Sequence, residues 1–266
     1  MYANLMRRIG WEVAGEPGSQ LFYRQLGPIA ICKYQRPERV DLEWLASFRR
    51  THHTILTYIE PKTETNLPGR SVEPFAHSKT SLIDLTSSEK NLLSSFSQKT
   101  RYNINHTLKQ NELKIVTTPL AKLSNSQKDS FFTLNTLWSK EKHVVGYSNP
   151  HFQAVLAAFA NHGDLHLCYR DDELVGALLI LYHDSVATYY AALATAAGQQ
   201  HFAPTLLTWI ALQTAKEKGC HTFDFGGIYD DRYPKLYKGW QGFTKFKDGF
   251  HPTPLSYPPT KLQLLW

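Results

Sequence analysis

Between residues 165 and 225 the sequence alternates short apolar runs with two-residue polar breaks, and this stretch limits the possible folds most tightly. Residues 165–170, 174–182 and 186–193 each have the length of a strand, and Asp171-Asp172 and His183-Asp184 are turn-forming pairs between them. Strands this close in sequence pair as an antiparallel meander. Residues 202–218 then carry helical apolar spacing up to Gly219, a favoured helix stop, and residues 222–225 return as a strand running into Gly226-Gly227. A helix joining two strands of one sheet makes a parallel crossover, so the expected class is α+β with a mostly antiparallel sheet.

The upstream sequence is less regular. Residues 41–48 place Leu42, Leu45, Ala46 and Phe48 on one helical face, and a strand is expected at 55–59, ending at Glu60-Pro61. Residues 62–79 contain Pro68-Gly69 and Pro74 without apolar periodicity and read as a loop, followed by a strand at 81–85. Thr86-Ser87-Ser88-Glu89 fits a capping box opening a helix with Leu92, Leu93 and Phe96 inward, and a second helix is expected at 99–109 before a strand at 113–116. After Pro119 come a long helix over 124–142 and another over 149–160 that opens at Pro150. The change of character at Pro119 sets the expected domain boundary, with residues 1–118 and 119–266 as the two units.

Composition narrows the functional classes. The longest apolar run, residues 175–182, is far shorter than the roughly 20 residues of a membrane-spanning helix. Met1-Tyr2-Ala3-Asn4-Leu5-Met6-Arg7-Arg8 puts its charges after its apolar residues, the reverse of a secretory signal, so a cytoplasmic location is expected. Cys32, Cys168 and Cys220 are widely spaced in apolar surroundings, which favours inert thiols over disulfides or zinc ligation. No His pair has metal-ligand spacing on a helix face, and no metal is expected. A net charge of +6 favours an anionic partner.

That charge is concentrated. Residues 232–247 hold Arg232, Lys235, Lys238, Lys245 and Lys247 with five aromatic residues and no acid. Basic groups neutralise phosphates while aromatic faces stack on bases or sugars, the combination that a single-stranded nucleic-acid end requires; aromatic anchors under a solvated loop give the same composition. A second acid-free stretch, residues 90–110, contains Arg101-Tyr102-Asn103, which offers a planar fork, a ring and an amide in one turn. Phe223-Asp224-Phe225-Gly226-Gly227 ends a strand with an acid and two glycines that permit close backbone approach. Nucleophile elbows, phosphate-binding loops of the Walker type and dinucleotide fingerprints are absent.

The order of these segments resembles the FemABX peptidoglycan-bridge aminoacyltransferases. The similarity rests on residues 81–104, the meander into Tyr189-Tyr190-Ala191, Gly219-Cys-His-Thr-Phe-Asp-Phe-Gly-Gly227 and Phe246-Lys-Asp-Gly-Phe250, with Arg8-Ile-Gly-Trp11 and Ile59-Glu-Pro61 in comparable places. It implies two tandem acetyltransferase-like (GNAT-type) domains with mixed, mostly antiparallel sheets flanked by helices. It also implies transfer of an amino acid from aminoacyl-tRNA, as cosubstrate and without a further cofactor, to an amine of a lipid-linked or UDP-linked peptidoglycan precursor. Membrane association would come only through that substrate, and a monomer is expected. The first domain is expected to be shortened at its N-terminus relative to the family, with the C-terminal tail packing back on it.

By the same resemblance Lys247 is the candidate for stabilising the oxyanion or holding the tRNA end, with Phe246 shaping its pocket. Asp224, Gly226, Gly227, Tyr190, Arg101 and Tyr102 are candidates for the acceptor cleft, and Lys235, Lys238 and Lys245 for tRNA phosphates. Two alternatives stand beside this reading. A coenzyme A-dependent N-acyltransferase would need backbone N–H groups cradling a pyrophosphate at a helix start, where residues 197–204 offer one glycine followed by bulky residues. A noncatalytic RNA- or precursor-binding relative would keep binding after loss of Lys247.

Overall fold

The computed structural model describes residues 1–142 and 146–264. In chain order the helices are α1 (Tyr2–Arg8), α2 (Leu42–Thr51), α3 (Glu89–Ser95), α4 (Gln98–Gln110), α5 (Asn125–Lys142), α6 (Asn149–Ala158), α7 (Ala196–Gln200), α8 (Ala203–Glu217) and α9 (Gln241–Asp248). The strands are β1 (Glu12–Ala14), β2 (Leu21–Leu26), β3 (Ile29–Gln35), β4 (Thr54–Glu60), β5 (Arg70–Val72), β6 (Lys79–Asp84), β7 (Lys114–Pro119), β8 (Gly163–Arg170), β9 (Glu173–His183), β10 (Val186–Ala194), β11 (Thr222–Gly227), β12 (Thr253–Ser256) and β13 (Thr260–Leu264). They form two compact units. Residues 1–80, 227–240 and those from Leu255 onward make the first, and residues 81–226 and 241–254 make the second.

The first unit is built on a six-stranded sheet in the order β1-β2-β3-β4-β13-β5. Its one parallel pair, β3 with β4, is joined through α2. Asp41 accepts a hydrogen bond from the Trp44 N–H at 2.9 Å and so starts α2. Leu45 and Phe48 then pack on Leu21, Cys32, Tyr34 and Ile59. On the other face Phe22 meets Ala3 and Met6 of α1. The stretch expected to be all loop, residues 62–79, contains the edge strand β5, which pairs with β13. Its backbone groups are met by a partner almost 190 residues away, so no local apolar period marks it.

The second unit carries a seven-stranded sheet in the order β12-β6-β11-β10-β9-β8-β7. β8, β9 and β10 are the expected antiparallel meander, and β10 pairs with β11 in parallel after the α7–α8 crossover. Both turns place two consecutive residues at positive φ: Asp171 and Asp172 in one, Asp184 and Ser185 in the other. The second turn therefore lies one residue later than its sequence suggests, because His183 still pairs with Val186 in the β9–β10 ladder. Phe96, Ile104, Leu178, Ile180, Phe223, Phe225 and Phe250 form the core with Leu206, Trp209 and Leu212 of α8. Each large side chain so buried contributes roughly 1.5–3 kcal/mol.

Two expectations change here. The boundary does not fall at Pro119, which ends β7 and pairs with Asp164 of β8. Residues 81–118 supply α3, α4 and β7 to the second unit, and α4 packs on α8. The change in composition at Pro119 marks a strand-to-helix transition inside one core. Thr86 does not cap a helix either. Its N–H donates to Asp84 Oδ1, and Ser88 becomes the cap of α3 by accepting from the Asn91 N–H.

Burial raises all three thiol pKa values, Cys32 to about 11 and Cys168 to about 12, which keeps them protonated and unreactive. Among the described residues no helix is long and apolar enough to cross a membrane.

Candidate functional site

The parallel strands β10 and β11 are in register at Val186–Thr222, Ala187–Phe223 and Thr188–Asp224. Past that register lie Tyr189 and Tyr190 on β10 and Phe225 and Gly226 on β11. Two local irregularities mark this end of the pairing. The β9–β10 register passes from Tyr189–Ile180 to Ala191–Leu179, making Tyr190 the inserted residue of a β-bulge, which bends the strand. On β11, Gly226 has φ +69°, and its N–H donates to Asp224 Oδ1 at 2.7 Å. A side chain at that φ would be strained and would press on the Tyr189 carbonyl oxygen.

Lys247 sits beside Tyr189 and Asp224, at this end of the register. The Phe-Lys-x-x-Phe segment spans the end of α9 and the two residues after it, and Phe246 and Phe250 turn into the core, 5.5 Å apart and near-perpendicular. That anchoring carries Lys247 inward until only 6% of it is exposed. Its Nζ lies 5.7 Å from the Tyr189 ring centre and 4.9 Å from that of Phe243. Burial pulls the ammonium pKa down to about 8, and the Asp224 carboxylate opposes the fall. Tyr189 is itself held neutral, because burial raises its phenol. The result is a cation flanked by rings, with a lowered pKa, beside the end of the β10–β11 register. Such a group can stabilise developing negative charge in a poorly solvated place.

The other candidate residues scatter. Lys235, Lys238 and Lys245 are exposed, the first two in the first unit and the third in the second, so the basic-aromatic stretch is divided between the units. Its first member, Arg232, pairs with buried Asp230 at 2.7 Å and donates to the Ser78 and Tyr257 carbonyls. Burial alone would raise the Asp230 carboxyl, but hydrogen bonds from Arg232 and Ser78 hold it down at about 2. Gly227 also belongs to the first unit, where an added Cβ would collide with the Trp240 ring and His77. Arg101 donates to the carbonyls of Ser94 and Phe96, closing the end of α3, a structural task. Tyr102 is exposed and stacks on His106 at 5.5 Å.

Tyr190 has company that the sequence reading missed. Its hydroxyl and His151 Nε2 are hydrogen-bonded at 2.7 Å, and Tyr147 stacks on both rings. His151 lies in the first turn of α6, which Ser148 caps, and Tyr147 precedes that cap. The i, i+4 spacing of Tyr147 and His151 was the available signal.

Several of the N–H groups ahead of α8 are taken up within the chain. Thr195 caps α7 by accepting from the Gly198 N–H, while the N–H groups of Gln199, His201 and Phe202 donate to Thr195, Ala197 and Gln199 carbonyls. Phe202 stands at φ +57°, and its carbonyl accepts from Thr205 and Leu206. Pro204 has no N–H to offer. A Cβ on Gly198 would overlap the Val175 carbonyl, so that glycine serves close packing.

A family model described as acetyltransferase (GNAT) domain matches residues 94–238. No curated protein matches the chain by sequence. Among solved structures, the crystal structure of FemX superposes with a TM-score of 0.81 at 13% identity, covering 99% of this chain and 90% of that one. L-PGS from Bacillus licheniformis gives 0.64 at 13% identity, over 97% of this chain and 86% of that one. A tandem GNAT protein from the clavulanic acid biosynthesis pathway gives 0.56 at 11% identity, over 95% and 81%. The fold is FemABX-like, with two mostly antiparallel sheets flanked by helices.

Proposed function

The chain belongs to the acetyltransferase (GNAT) domain family, and from that premise we propose that it moves an aminoacyl group from charged tRNA to an amine of a peptidoglycan-precursor stem peptide. The observation that carries the choice of donor is the hydrogen bonding ahead of α8. Coenzyme A recognition on this fold would use free N–H groups at that helix start. Here those of Gly198, Gln199, His201, Phe202, Thr205 and Leu206 are already committed within the chain. An aminoacyl ester of tRNA asks for no pyrophosphate cradle and instead presents an activated carbonyl on a single-stranded end.

The chemistry matches what the surroundings of Lys247 offer. A neutral amine attacks the ester carbonyl, the C–N bond forms, and the C–O bond to the terminal ribose breaks. The ribose hydroxyl leaves with a proton, and the amine nitrogen loses one. The step is downhill and depends on alignment and on stabilising the oxyanion of the tetrahedral intermediate. Lys247 supplies the cation, held between Tyr189 and Phe243. The Asp224 carboxylate keeps that cation protonated to higher pH than burial alone would allow. Phe246 fixes the helix that carries it.

The test is incubation of the purified protein with a mixture of charged tRNAs and either lipid-linked or UDP-linked precursor, scored by precursor mass. A mass gain of one or more aminoacyl residues, lost in Lys247→Ala, is expected. Acylation of an amine from acetyl-CoA, with no gain from any charged tRNA, would overturn the reading in favour of the coenzyme A-dependent alternative. Precursor binding without turnover in either form would favour the noncatalytic one.

A further inference from the structure

Resting on that reading of the donor, we infer that Tyr147, His151 and Tyr190 form a stacking platform for the terminal nucleobase of the single-stranded RNA end. The geometry is specific. The His151 and Tyr190 rings are coplanar to within 4°, 6.3 Å apart, and joined edge to edge by their 2.7 Å hydrogen bond. Together they make one flat surface about as broad as a purine. Tyr147 lies parallel over both, 4.3 Å from His151 and 5.5 Å from Tyr190, tilted by 9° and 10°.

Tyr147 is pinned by more than its neighbours' faces. Phe152 meets it edge-on at 5.8 Å, and Asn135, buried in α5, donates to its carbonyl at 3.0 Å while also holding Asn149. A ring fixed this firmly by one face and one edge, yet 50% exposed, presents its opposite face outward. Every nucleobase has a π-face to match it, and aromatic stacking is the sequence-tolerant way to hold an unpaired base. Burial lowers the His151 pKa, so the neutral imidazole that sustains the hydrogen bond is favoured. Tyr190, being the bulged residue, follows Tyr189, whose ring lies 5.7 Å from the Lys247 ammonium.

The test is the affinity of the wild type and of Tyr147→Ala for the RNA tetranucleotide ACCA, measured by fluorescence anisotropy. The same RNA without its 3′-terminal base is the control, and coenzyme A and UMP are the other base-bearing probes. Tyr147→Ala is expected to bind ACCA about ten- to a hundredfold more weakly, and Tyr147→Phe within about twofold of the wild type. Removing the terminal base should cost the wild type the same factor and the Ala variant nothing further. An equal loss in both proteins on removing the base would overturn the platform. So would Tyr147-dependent binding confined to coenzyme A or to UMP. If the wild type transfers an aminoacyl group from charged tRNA while RNA binding ignores Tyr147, the platform falls and the proposed reaction stands. Absence of both RNA binding and transfer would remove both.

Discussion

Each unit of the molecule buries one lysine, and the two are near twins. Lys33 in the first unit is 7% exposed and Lys247 in the second 6%. Burial brings each pKa down to about 8, and one carboxylate opposes the fall, Glu60 for Lys33 and Asp224 for Lys247. Each ammonium lies near two rings: Trp11 at 4.5 Å and Phe75 at 5.0 Å, or Phe243 at 4.9 Å and Tyr189 at 5.7 Å. The surroundings differ in one respect. Lys33 sits mid-strand in β3, in register with Phe22 of β2 and Tyr58 of β4, whereas Lys247 lies on a helix, beside the end of the β10–β11 register. A perturbed lysine is therefore not a site by itself; what it faces decides.

Substitution by methionine should separate the twins most sharply. Lys247→Met is expected to lower transfer from charged tRNA roughly 10²–10³-fold, the loss typical of removing an oxyanion donor. Lys33→Met is expected to change it by less than about threefold, because the proposed reaction gives Lys33 no part in stabilising the oxyanion. Both variants should melt within a few degrees of the wild type, since an apolar chain of similar length replaces a desolvated cation. Equal losses of turnover would break the comparison and give the first unit a working lysine of its own.

The carboxylates differ in the same sense. Glu60 Oε1 accepts from the Phe75 and Ala76 N–H groups at 2.7 and 2.6 Å, and Oε2 accepts from Gln35 Nε2 at 3.1 Å. Glu60→Gln puts an amide donor in place of one accepting oxygen and should cost about 2 kcal/mol in urea unfolding. Asp224→Asn keeps an oxygen for the Gly226 N–H and should cost less than about 1 kcal/mol. An Asp224→Asn penalty as large as that of Glu60→Gln would make Asp224 a structural anchor as well.

For Lys247 the pH dependence follows from the sign of its shift. Transfer needs the cation, so the rate should fall as pH rises through about 8. Asp224→Asn removes the charge that raises this pKa, so the descending limb should move to lower pH. Stability runs the other way. With both folded pKa values near 8 and an unfolded value of about 10.4, the unfolded chain binds more protons between those limits, and stability rises across that window. Urea midpoints near the two limits, in the wild type and in each methionine variant, would show half of that rise belonging to each lysine.

Much of the second unit was legible from sequence, because the meander, the crossover helix and Gly226 are each signalled within a few residues. In the first unit α2 and β4 were legible, at residues 41–48 and 55–59, but the strands around them were not. β2 and β3 fold around Gly27 at φ +64° but carry Arg24, Gln25 and Lys33 among their apolar residues, which blurs the alternation. β13 finds its partners about 200 residues back in the chain. Lys247 stood out through its motif, whereas Lys33 had none: its burial comes from Trp11 and Phe75 converging from distant segments. The Tyr147–His151–Tyr190 stack depends on a bulge at Tyr190 that nothing in Tyr189-Tyr190-Ala191 announces.

The smallest expected effects come from the rings themselves. Phe75 is 64% exposed and Phe243 39%, so Phe75→Ala and Phe243→Ala should each cost about 1 kcal/mol or less of folding stability, within the range of one cation–π contact. Their diagnostic value lies in the lysine titrations, measured by NMR on selectively labelled side chains. Desolvation is the main cause of both depressed values, so uncovering either ammonium should raise its pKa toward the ordinary range. Only in Phe243→Ala should the descending limb of the transfer rate follow, moving to higher pH with Lys247. A limb that instead tracked Lys33 in Phe75→Ala would reverse the assignment of the two lysines.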